Sequence, residues 1–295
     1  MLPAKTEYIR IASNAFHADK IPVFLKPFWL DAVSKKWDVV IVKENDVLLA
    51  ALPYCIKGNI LTKRIYLPFL SFYQSVLFFQ DVKQEEQQTI LEQLVDQLPL
   101  TWKQYFKFLP QYSNLDLSNQ DYTKHGYSTY VIQDKFQLSE HHSRLYKKVI
   151  KNEYKLVETE NTDQAYALLM STFIRKNLKP YMSLHDFEKI QTVCKKFNAG
   201  KIVSCTDKQQ NHLACIFYAE DEQSAYYLMG GYDDQFKNSG AMVFLLHELI
   251  SQAIKQKKQF NFCGSADANI ARFFEGFGAE KIELNIWTKG LMSRK

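Results

Sequence analysis

A strand–turn–strand pattern occurs once in each half of the chain, and it restricts the fold more than any other feature. In the first half WDVVIVK (37–43) and LLAALPYC (48–55) flank the polar turn ENDV. In the second half KIVSCT (201–206) and HLACIFYA (212–219) flank DKQQN. Apolar segments separated by short polar turns predict antiparallel strands. The segments LAALPY and LACIFY occupy equivalent places, which predicts a duplicated fold.

Three further features follow in the same order in both halves: a helix, a short strand rich in aromatic residues, and an aromatic-x-x-x-Gly motif. The first half has them at 84–98, 105–110 and Tyr122–Gly126, and the second at 239–258, 259–264 and Phe274–Gly278. We therefore predict two domains, 1–135 and 153–295, joined by a linking helix at 136–152. A length of 295 residues suits two domains at roughly 150 residues each.

The second half is predicted to be an α+β domain with a mostly antiparallel sheet. Its apolar periodicity predicts elements that complete the pattern above: helices at 163–176, 185–197 and 267–275, and strands at 224–231 and 280–288. With the repeated pattern, this predicts a mixed α/β fold of two tandem domains, each a central sheet flanked by helices.

Composition excludes several protein classes. Hydrophobic residues make up 46% and charged residues 23%, which is typical of globular proteins and not of disordered chains. No apolar run approaches the ~18 residues of a membrane span, and the N-terminal segment lacks a signal peptide's apolar stretch. The five cysteines lie far apart in sequence, which indicates neither disulfides nor a zinc site and favours a cytoplasmic protein without a metal.

Glycine is concentrated in one quarter of the chain. Ten glycines occur, and seven of them lie between 230 and 290. Glycine serves where the backbone needs a positive φ or where a ligand comes close, so we expect the chemistry in this quarter. The corresponding part of the first half, 68–83, has no glycine. We expect the first domain to be a scaffold or to shape an acceptor groove.

The loop from Tyr232 to Met242 joins a strand to a long helix and is the strongest candidate binding site. Backbone N–H groups at a helix start, with the helix dipole, favour anions. The residues expected to supply donors and space are Gln235, Lys237, Asn238, Ser239, Gly240 and Ala241. A plain N-cap with nothing bound is the alternative. The loop is neither a Walker loop nor a Rossmann fingerprint.

The element order and the motif Q-x-x-N-x-G-A (235–241) resemble the GNAT acyltransferases, whose pyrophosphate loop is Q/R-x-x-G-x-G/A. Asn238 occupies the position of the first glycine in that family motif, and asparagine tolerates a left-handed backbone. The duplication, the basic segment 143–152 and the C-terminal motifs resemble the Fem-type branch. The matching residues are Phe260, Phe262, Gly264, Ser265, Arg272, Phe273, Gly276, Phe277, Gly278, Ala279 and Glu280. The coiled-coil insertion of that branch is not predicted here.

The resemblance implies transfer of an acyl group from acetyl-CoA or another acyl-CoA to an amine or hydroxyl. The donor would occupy Leu228, Gly230 and the loop residues 235–241, with a backbone N–H on the strand near Leu228–Gly231 polarising the carbonyl. Tyr232 and Asp234 are candidate catalytic residues, and ordinary turn chemistry is their alternative. His247 and Glu248 are expected to be packed or solvated. Cys263 lies in no nucleophile motif, so direct transfer is expected.

The acceptor is expected to be an anionic small molecule or cell-envelope precursor. Candidate acceptor-binding residues are Arg144, Arg175, Lys179, Tyr181, Ser265 and Arg272. Solvated helix faces explain the same basic residues equally simply, and Ser265 suits a helix cap. No motif for duplex nucleic acid occurs. Two other functions remain open: an aminoacyl-tRNA-dependent transferase, and a non-catalytic binding protein that keeps the fold.

Overall fold

The computed structural model describes residues 3–175, 177, 179–180, 182–265 and 267–290, without the side chains of residues 15 and 16. The chain forms two compact units. The first contains the described residues up to Tyr127 and those from Glu283 onward, and the second runs from Ser128 to Ile282. The division of the sequence at 135 and 153 stays a prediction.

The first unit is built on a twisted sheet with helices against it. Its elements are α1 (Ala4–Ala12), α2 (Ala15–Ala18), α3 (Pro27–Val33), β1 (Trp37–Glu44), β2 (Val47–Lys57), β3 (Arg64–Tyr66), β4 (Leu77–Phe78), α4 (Gln84–Asp96) and β5 (Lys103–Lys107). Strand β6 (Thr123–Ile132) begins in this unit and ends in the second.

The second unit has the same kinds of element in a longer series. It contains α5 (Glu140–Lys151), β7 (Lys155–Glu158), α6 (Thr162–Arg175), α7 (Leu184–Phe197), β8 (Gly200–Thr206), β9 (His212–Glu220), β10 (Ser224–Tyr232), α8 (Ala241–Lys255), β11 (Gln259–Asn261) and α9 (Ala268–Glu275). The last strand, β12 (Glu280–Gly290), starts here and ends in the first unit.

Local sequence explains the β1–β2 hairpin of the first unit. Asn45 and Asp46 both adopt positive φ, 49° and 62°, which is the backbone of the tight turns that Asn and Asp favour. The hairpin then pairs antiparallel from Trp37–Cys55 to Glu44–Val47. Helix α4 covers the sheet with its apolar face, whose buried residues are Ile90, Leu91, Leu94 and Val95.

The meander predicted for the second unit forms as expected. Strands β8, β9 and β10 pair antiparallel in sequence order, and β7 adds to the β8 edge. Helix α8 packs on this sheet with Phe244, Leu245, Leu246, Leu249, Ile250 and Ala253 all buried. A helix that is apolar over so much of its surface is expected in a hydrophobic core. Helix α8 forms the centre of the core of the second unit.

Strand β6 is an element that the sequence analysis missed. The motif Tyr122–Gly126 was expected to match Phe274–Gly278, but Gly126 lies inside β6 whereas Phe274 lies in α9. That part of the predicted repeat is wrong. The C-terminal end of β6 pairs with β11 in the second unit, and Ile286–Gly290 of β12 pair with β5 in the first. Thus β6, the last strand of the N-terminal half, pairs within the second unit. Strand β12, the last strand of the C-terminal half, pairs within the first unit.

Among the described residues, no helix combines the length and the apolar character that crossing a membrane requires.

Candidate functional site

Strands β10 and β11 run together briefly and then separate. Their parallel pairing joins Ser224–Tyr226 to Gln259–Asn261, after which β10 continues to Tyr232 while β11 ends. The chain beyond β11 turns through Cys263 and Gly264, which have φ of 57° and 68°. The Asn261 side chain fixes this turn, because its Oδ1 accepts from the Cys263 N–H at 2.8 Å. The last part of β10 is therefore left without its β11 neighbour.

A β-bulge interrupts β10 at this point. The pairing with β9 shifts between Tyr227 and Met229, so Leu228 is the extra residue. Such a residue is left out of the ladder, and bulges are frequent beside active sites because they re-aim backbone groups. The sequence analysis expected a backbone N–H in the segment Leu228–Gly231 to polarise a donor carbonyl. The structure places Leu228 of this segment at the bulge.

The two glycines that follow serve close packing. A side chain at Gly231 would overlap the backbone carbonyl of Leu168, so the absence of a Cβ lets α6 lie directly on β10. The Tyr227 hydroxyl packs against Gly230, where a Cβ would displace it. Burial raises the pKa of Tyr227 well above its ordinary value, because the charged phenolate is disfavoured away from water.

Arg175, at the end of α6, holds the loop that leaves β10. Its Nη1 donates to the carbonyl oxygen of Tyr232 at 3.1 Å and lies 3.3 Å from Asp234 Oδ1. Its guanidinium carbon also lies 4.2 Å from the centre of the Tyr232 ring. Ser171 Oγ donates to the same carbonyl at 3.1 Å. Two residues proposed for catalysis and one proposed for acceptor binding are thus brought into direct contact.

The start of α8 is held by local and long-range bonds. Gly240 is the N-cap residue with φ of 88°, and the buried Ser239 accepts the Ala241 N–H at 3.1 Å. A Cβ at Gly240 would lie 2.6 Å from the carbonyl oxygen of Leu145, so glycine also permits contact with α5. From α5, Lys148 Nζ donates to the Asn238 carbonyl at 3.0 Å.

The other predicted site residues are more dispersed. Gln235 and Lys237 are exposed in the loop, and Asp233 caps the turn by accepting the Gln235 N–H at 2.9 Å. Ser265 bonds to the backbone of Asp267, whose carboxylate caps α9. The exposed cations Arg144, Lys179 and Arg272 form no hydrogen bond or ion pair with loop 232–241 within the described part of the chain. Tyr181 lies outside the described residues.

A cluster between α5 and α8 was not predicted. Glu248 Oε1 accepts from the Tyr146 hydroxyl at 3.0 Å and lies 2.9 Å from His247 Nδ1. The rings of Tyr146 and His247 are 4.1 Å apart. Burial, with the hydrogen bond to Glu248, raises the pKa of Tyr146 to about 12. No spacing could have indicated this cluster, because 102 residues separate Tyr146 from Glu248.

The first unit contains a recess of about 210 Å³ with a mixed polar and apolar lining. Its lining residues come from the α1–α2 segment, the β1–β2 turn, the start of β2 and the residues after β4, and include Glu7, Arg10, Asn14, His17 and Asp46. Glu7 lies on α1 and is buried, and its Oε2 is 2.6 Å from Lys43 Nζ on β1. This ion pair joins the helix to the strand, so the buried carboxylate already has a structural partner.

Three of the buried cysteines are unsuited to nucleophilic catalysis. None of the five, all within the described residues, forms a disulfide. Burial raises the pKa of Cys55, Cys194 and Cys205 to about 12, far above that of a reactive thiolate. Over the same described residues, no group of three or more His, Cys, Asp and Glu side chains could hold a metal ion.

Comparison with solved structures decides the fold. The chain matches the crystal structure of FemX with a TM-score of 0.69 over 97% of this chain and 96% of that one, at 10% identity. The fold is that of the Fem-type tandem GNAT proteins. A tandem GNAT protein from the clavulanic acid biosynthesis pathway matches with a TM-score of 0.52 over 97% and 94% of the two chains, at 9% identity.

The structure of L-PGS from Bacillus licheniformis also matches this chain, with a TM-score of 0.55 over 83% of this chain and 82% of that one, at 12% identity. No protein-family model matches the sequence, and no curated protein matches it significantly. The predicted fold class and the predicted resemblance are confirmed. At these identities the likeness is one of fold.

Proposed function

We propose that this chain transfers an acyl group from acetyl-CoA or another acyl-CoA to an amine or hydroxyl of an anionic acceptor. The observation that carries the proposal is the bulge at Leu228 on a strand that has parted from β11. A backbone N–H released there can donate to a thioester carbonyl. It is then in place to stabilise the oxyanion that forms when a nucleophile attacks.

The start of α8 supports the same proposal, because it offers a site for the pyrophosphate of an acyl-CoA donor. Loop 233–240 connects β10 directly to α8, so a ligand with its thioester near Leu228 can reach the helix start with its pyrophosphate. Helix N–H groups and the dipole favour phosphate there. Lys148, held against Asn238, adds a cation beside this point. Gln235, Lys237, Ser239, Gly240 and Ala241 are the other proposed contacts.

The reaction needs one bond formed and one broken. The acceptor nitrogen or oxygen bonds to the thioester carbonyl carbon, the carbon–sulfur bond breaks, and the thiolate takes up a proton. Tyr232 and Asp234 are the proposed groups for removing the acceptor's proton, directly or through water. The Tyr227 hydroxyl packs at Gly230 and can donate a hydrogen bond to the departing thiolate, while its raised pKa makes it a poor source of the proton itself.

The acceptor is proposed to carry a phosphate or carboxylate. Arg144, Lys179 and Arg272 are exposed and available to such a group, and Ser265 with Tyr181 completes the proposed set. Arg175 is different, because its guanidinium already holds Tyr232 and Asp234. We propose that Arg175 positions the donor loop. A small metabolite and a cell-envelope precursor both fit this chemistry.

The test compares two substitutions at Leu228 in an assay of thiol release from acetyl-CoA with a panel of amines. Leu228→Pro removes the N–H, and proline is tolerated at bulges, whereas Leu228→Ala keeps the N–H. We expect Leu228→Pro to lose about 100-fold in kcat, as for removal of one oxyanion donor, and Leu228→Ala to lose far less. Circular dichroism and the melting temperature check that both variants fold.

Three results would contradict the proposal. A folded Leu228→Pro variant with unchanged kcat would show that the Leu228 N–H does not stabilise the oxyanion. Release of free tRNA from aminoacyl-tRNA, without thiol release from any acyl-CoA, would select the aminoacyl-tRNA-dependent alternative. Ligand binding without transfer from either donor would select the non-catalytic alternative.

A further inference from the structure

Two loops of the first unit hold four large apolar side chains out of the fold. Ile60 and Leu61 follow β2 and are 96% and 82% exposed, and Leu100 and Trp102 precede β5 at 98% and 50%. We refer to these four residues as the apolar tip. Single exposed apolar residues are ordinary, but four in two loops joined by a hydrogen bond indicate an interaction surface.

The apolar tip is ordered by its own hydrogen bonds. Asn59 Oδ1 accepts from the N–H groups of Leu61 and Thr62, both at 3.0 Å, which fixes the turn that presents Ile60 and Leu61. The second loop is tied to the first, because the Trp102 N–H donates to the Lys63 carbonyl at 2.7 Å. The exposure is therefore built into two bonded loops and does not come from an unstructured segment.

The two chain segments that carry the apolar tip contain cations and no acids. Segments 57–64 and 98–104 contain Lys57, Lys63, Arg64 and Lys103 and no Asp or Glu. Arg64 and Lys103 are paired neighbours in the parallel β3–β5 register. Aliphatic side chains, a tryptophan and cations without acids in the same segments form a composition that suits the headgroup region of an anionic bilayer.

We propose that the apolar tip docks the first unit on an anionic lipid surface. Ile60, Leu61 and Leu100 enter the boundary between headgroups and acyl chains, Trp102 lies at headgroup level, and the four cations contact lipid phosphates. A second copy of this chain fits less well, since a symmetric contact would bring the same cations together. The proposal concerns only the first unit and does not depend on the acyl-transfer site.

Co-sedimentation tests it with vesicles of phosphatidylcholine alone or with phosphatidylglycerol added. We expect the parent protein to bind the vesicles that contain phosphatidylglycerol and to lose binding as salt rises. The double variants Ile60→Ser/Leu61→Ser and Lys63→Glu/Arg64→Glu should each lower the partition coefficient about tenfold or more. Both pairs lie in the surface loop or at its edge, so the melting temperature should change little.

A matched control is Ile150→Ser, because Ile150 is a 52% exposed aliphatic residue beside Lys151 on α5. It should leave vesicle binding unchanged. Tryptophan fluorescence gives a second readout, since Trp29, Trp37 and Trp287 are at most 3% exposed and Trp102 is half exposed. A blue shift of the tryptophan emission when vesicles are added then indicates that Trp102 has moved into a less polar environment.

Three results would overturn the proposal. One is an absence of binding to phosphatidylglycerol vesicles by the parent protein. Another is equal binding by the parent and both double variants. The third is concentration-dependent dimerisation that the Ile60→Ser/Leu61→Ser variant abolishes, which would assign the apolar tip to a second copy of this chain.

Discussion

The guanidinium of Arg175 stacks on the ring of Tyr232 at 4.2 Å and donates to the carbonyl oxygen of the same residue at 3.1 Å. One side chain thus fixes both the end of β10 and the direction in which the loop leaves it. Because that loop leads to the α8 start, Arg175 links the geometry of the proposed thioester end to that of the proposed pyrophosphate end.

Replacing Arg175 by Ala should loosen this loop. We expect a loss of about 1–2 kcal/mol in unfolding free energy, since the hydrogen bond from this charged donor to the partly buried Tyr232 carbonyl is lost. The weakening should appear in CoA affinity as well as in stability. Denaturant unfolding and calorimetry measure the two quantities.

Arg144→Ala is the matched control for that variant. Arg144 is an exposed arginine on α5, so its loss should change stability by at most about 0.5 kcal/mol. If Arg175→Ala leaves stability and CoA affinity unchanged and raises only the KM of the acceptor, then Arg175 binds the acceptor and the positioning role is wrong.

Gly240→Ala should destabilise the protein even without a ligand. The φ of 88° costs a residue with a Cβ about 1–2 kcal/mol, and the contact with the Leu145 carbonyl adds to this. Gly126→Ala provides the comparison, because nothing lies within 4 Å of a Cβ built there. Urea midpoints of the two variants test the claim. Equal midpoints would show that α5 does not pack on Gly240.

The stability of the protein should decrease in acid because of His142. Burial lowers the pKa of this histidine below 6.5, although a hydrogen bond with Gly276 partly offsets the shift. The unfolded chain therefore binds a proton before the folded chain does as the pH falls. The folding stability linked to neutral His142 is therefore fully present above pH 6.5. It is lost as the pH falls through the lower pKa of the folded state.

His142 packs between Phe273 and Phe277 with ring centroids at 5.0 and 4.6 Å, so His142→Gln tests the effect with a neutral polar replacement. The variant should be less stable at pH 8, and its unfolding free energy should vary less between pH 7 and 5 than that of the parent. An identical pH dependence in both proteins would assign the effect to other groups, of which His212 is one.

Transfer should proceed without an acyl-enzyme. Four of the five cysteines are buried, and Cys263 is half-buried in the turn after β11. Cys263→Ser should keep kcat within about twofold, because no covalent step is needed when the acceptor attacks the thioester directly. Mass spectrometry of the parent protein quenched during turnover checks the point. An acyl adduct on Cys263 would rule out direct transfer.

The sequence was most informative where local rules decide the structure. The β8–β9–β10 meander and the β1–β2 hairpin follow from apolar runs and turn residues such as Asn45 and Asp46. Strand β6 was missed because it opens with mostly exposed residues around Gly126, which mask its period of two. The pairing of β12 with β5 joins residues more than 170 positions apart, and no local pattern encodes it.

The candidate site shows the same limit. The loop glycines and Leu228 could be named because their motif is contiguous in sequence. The contacts of Arg175 with Tyr232 and of Tyr146 with Glu248 join separate elements, so the sequence could name some of these residues but not their partners. It also could not show that Gly231 and Gly240 serve helix packing, because that depends on Leu168 and Leu145.

Titration calorimetry of the purified protein with CoA is the most direct test of the central claim, together with Lys148→Ala and the control Lys151→Ala. We predict saturable binding of CoA by the parent and the control. Lys148→Ala should bind about tenfold more weakly, because the cation held against Asn238 next to the α8 start is lost. No heat of binding at millimolar CoA would contradict the assignment of loop 235–241 as the donor site.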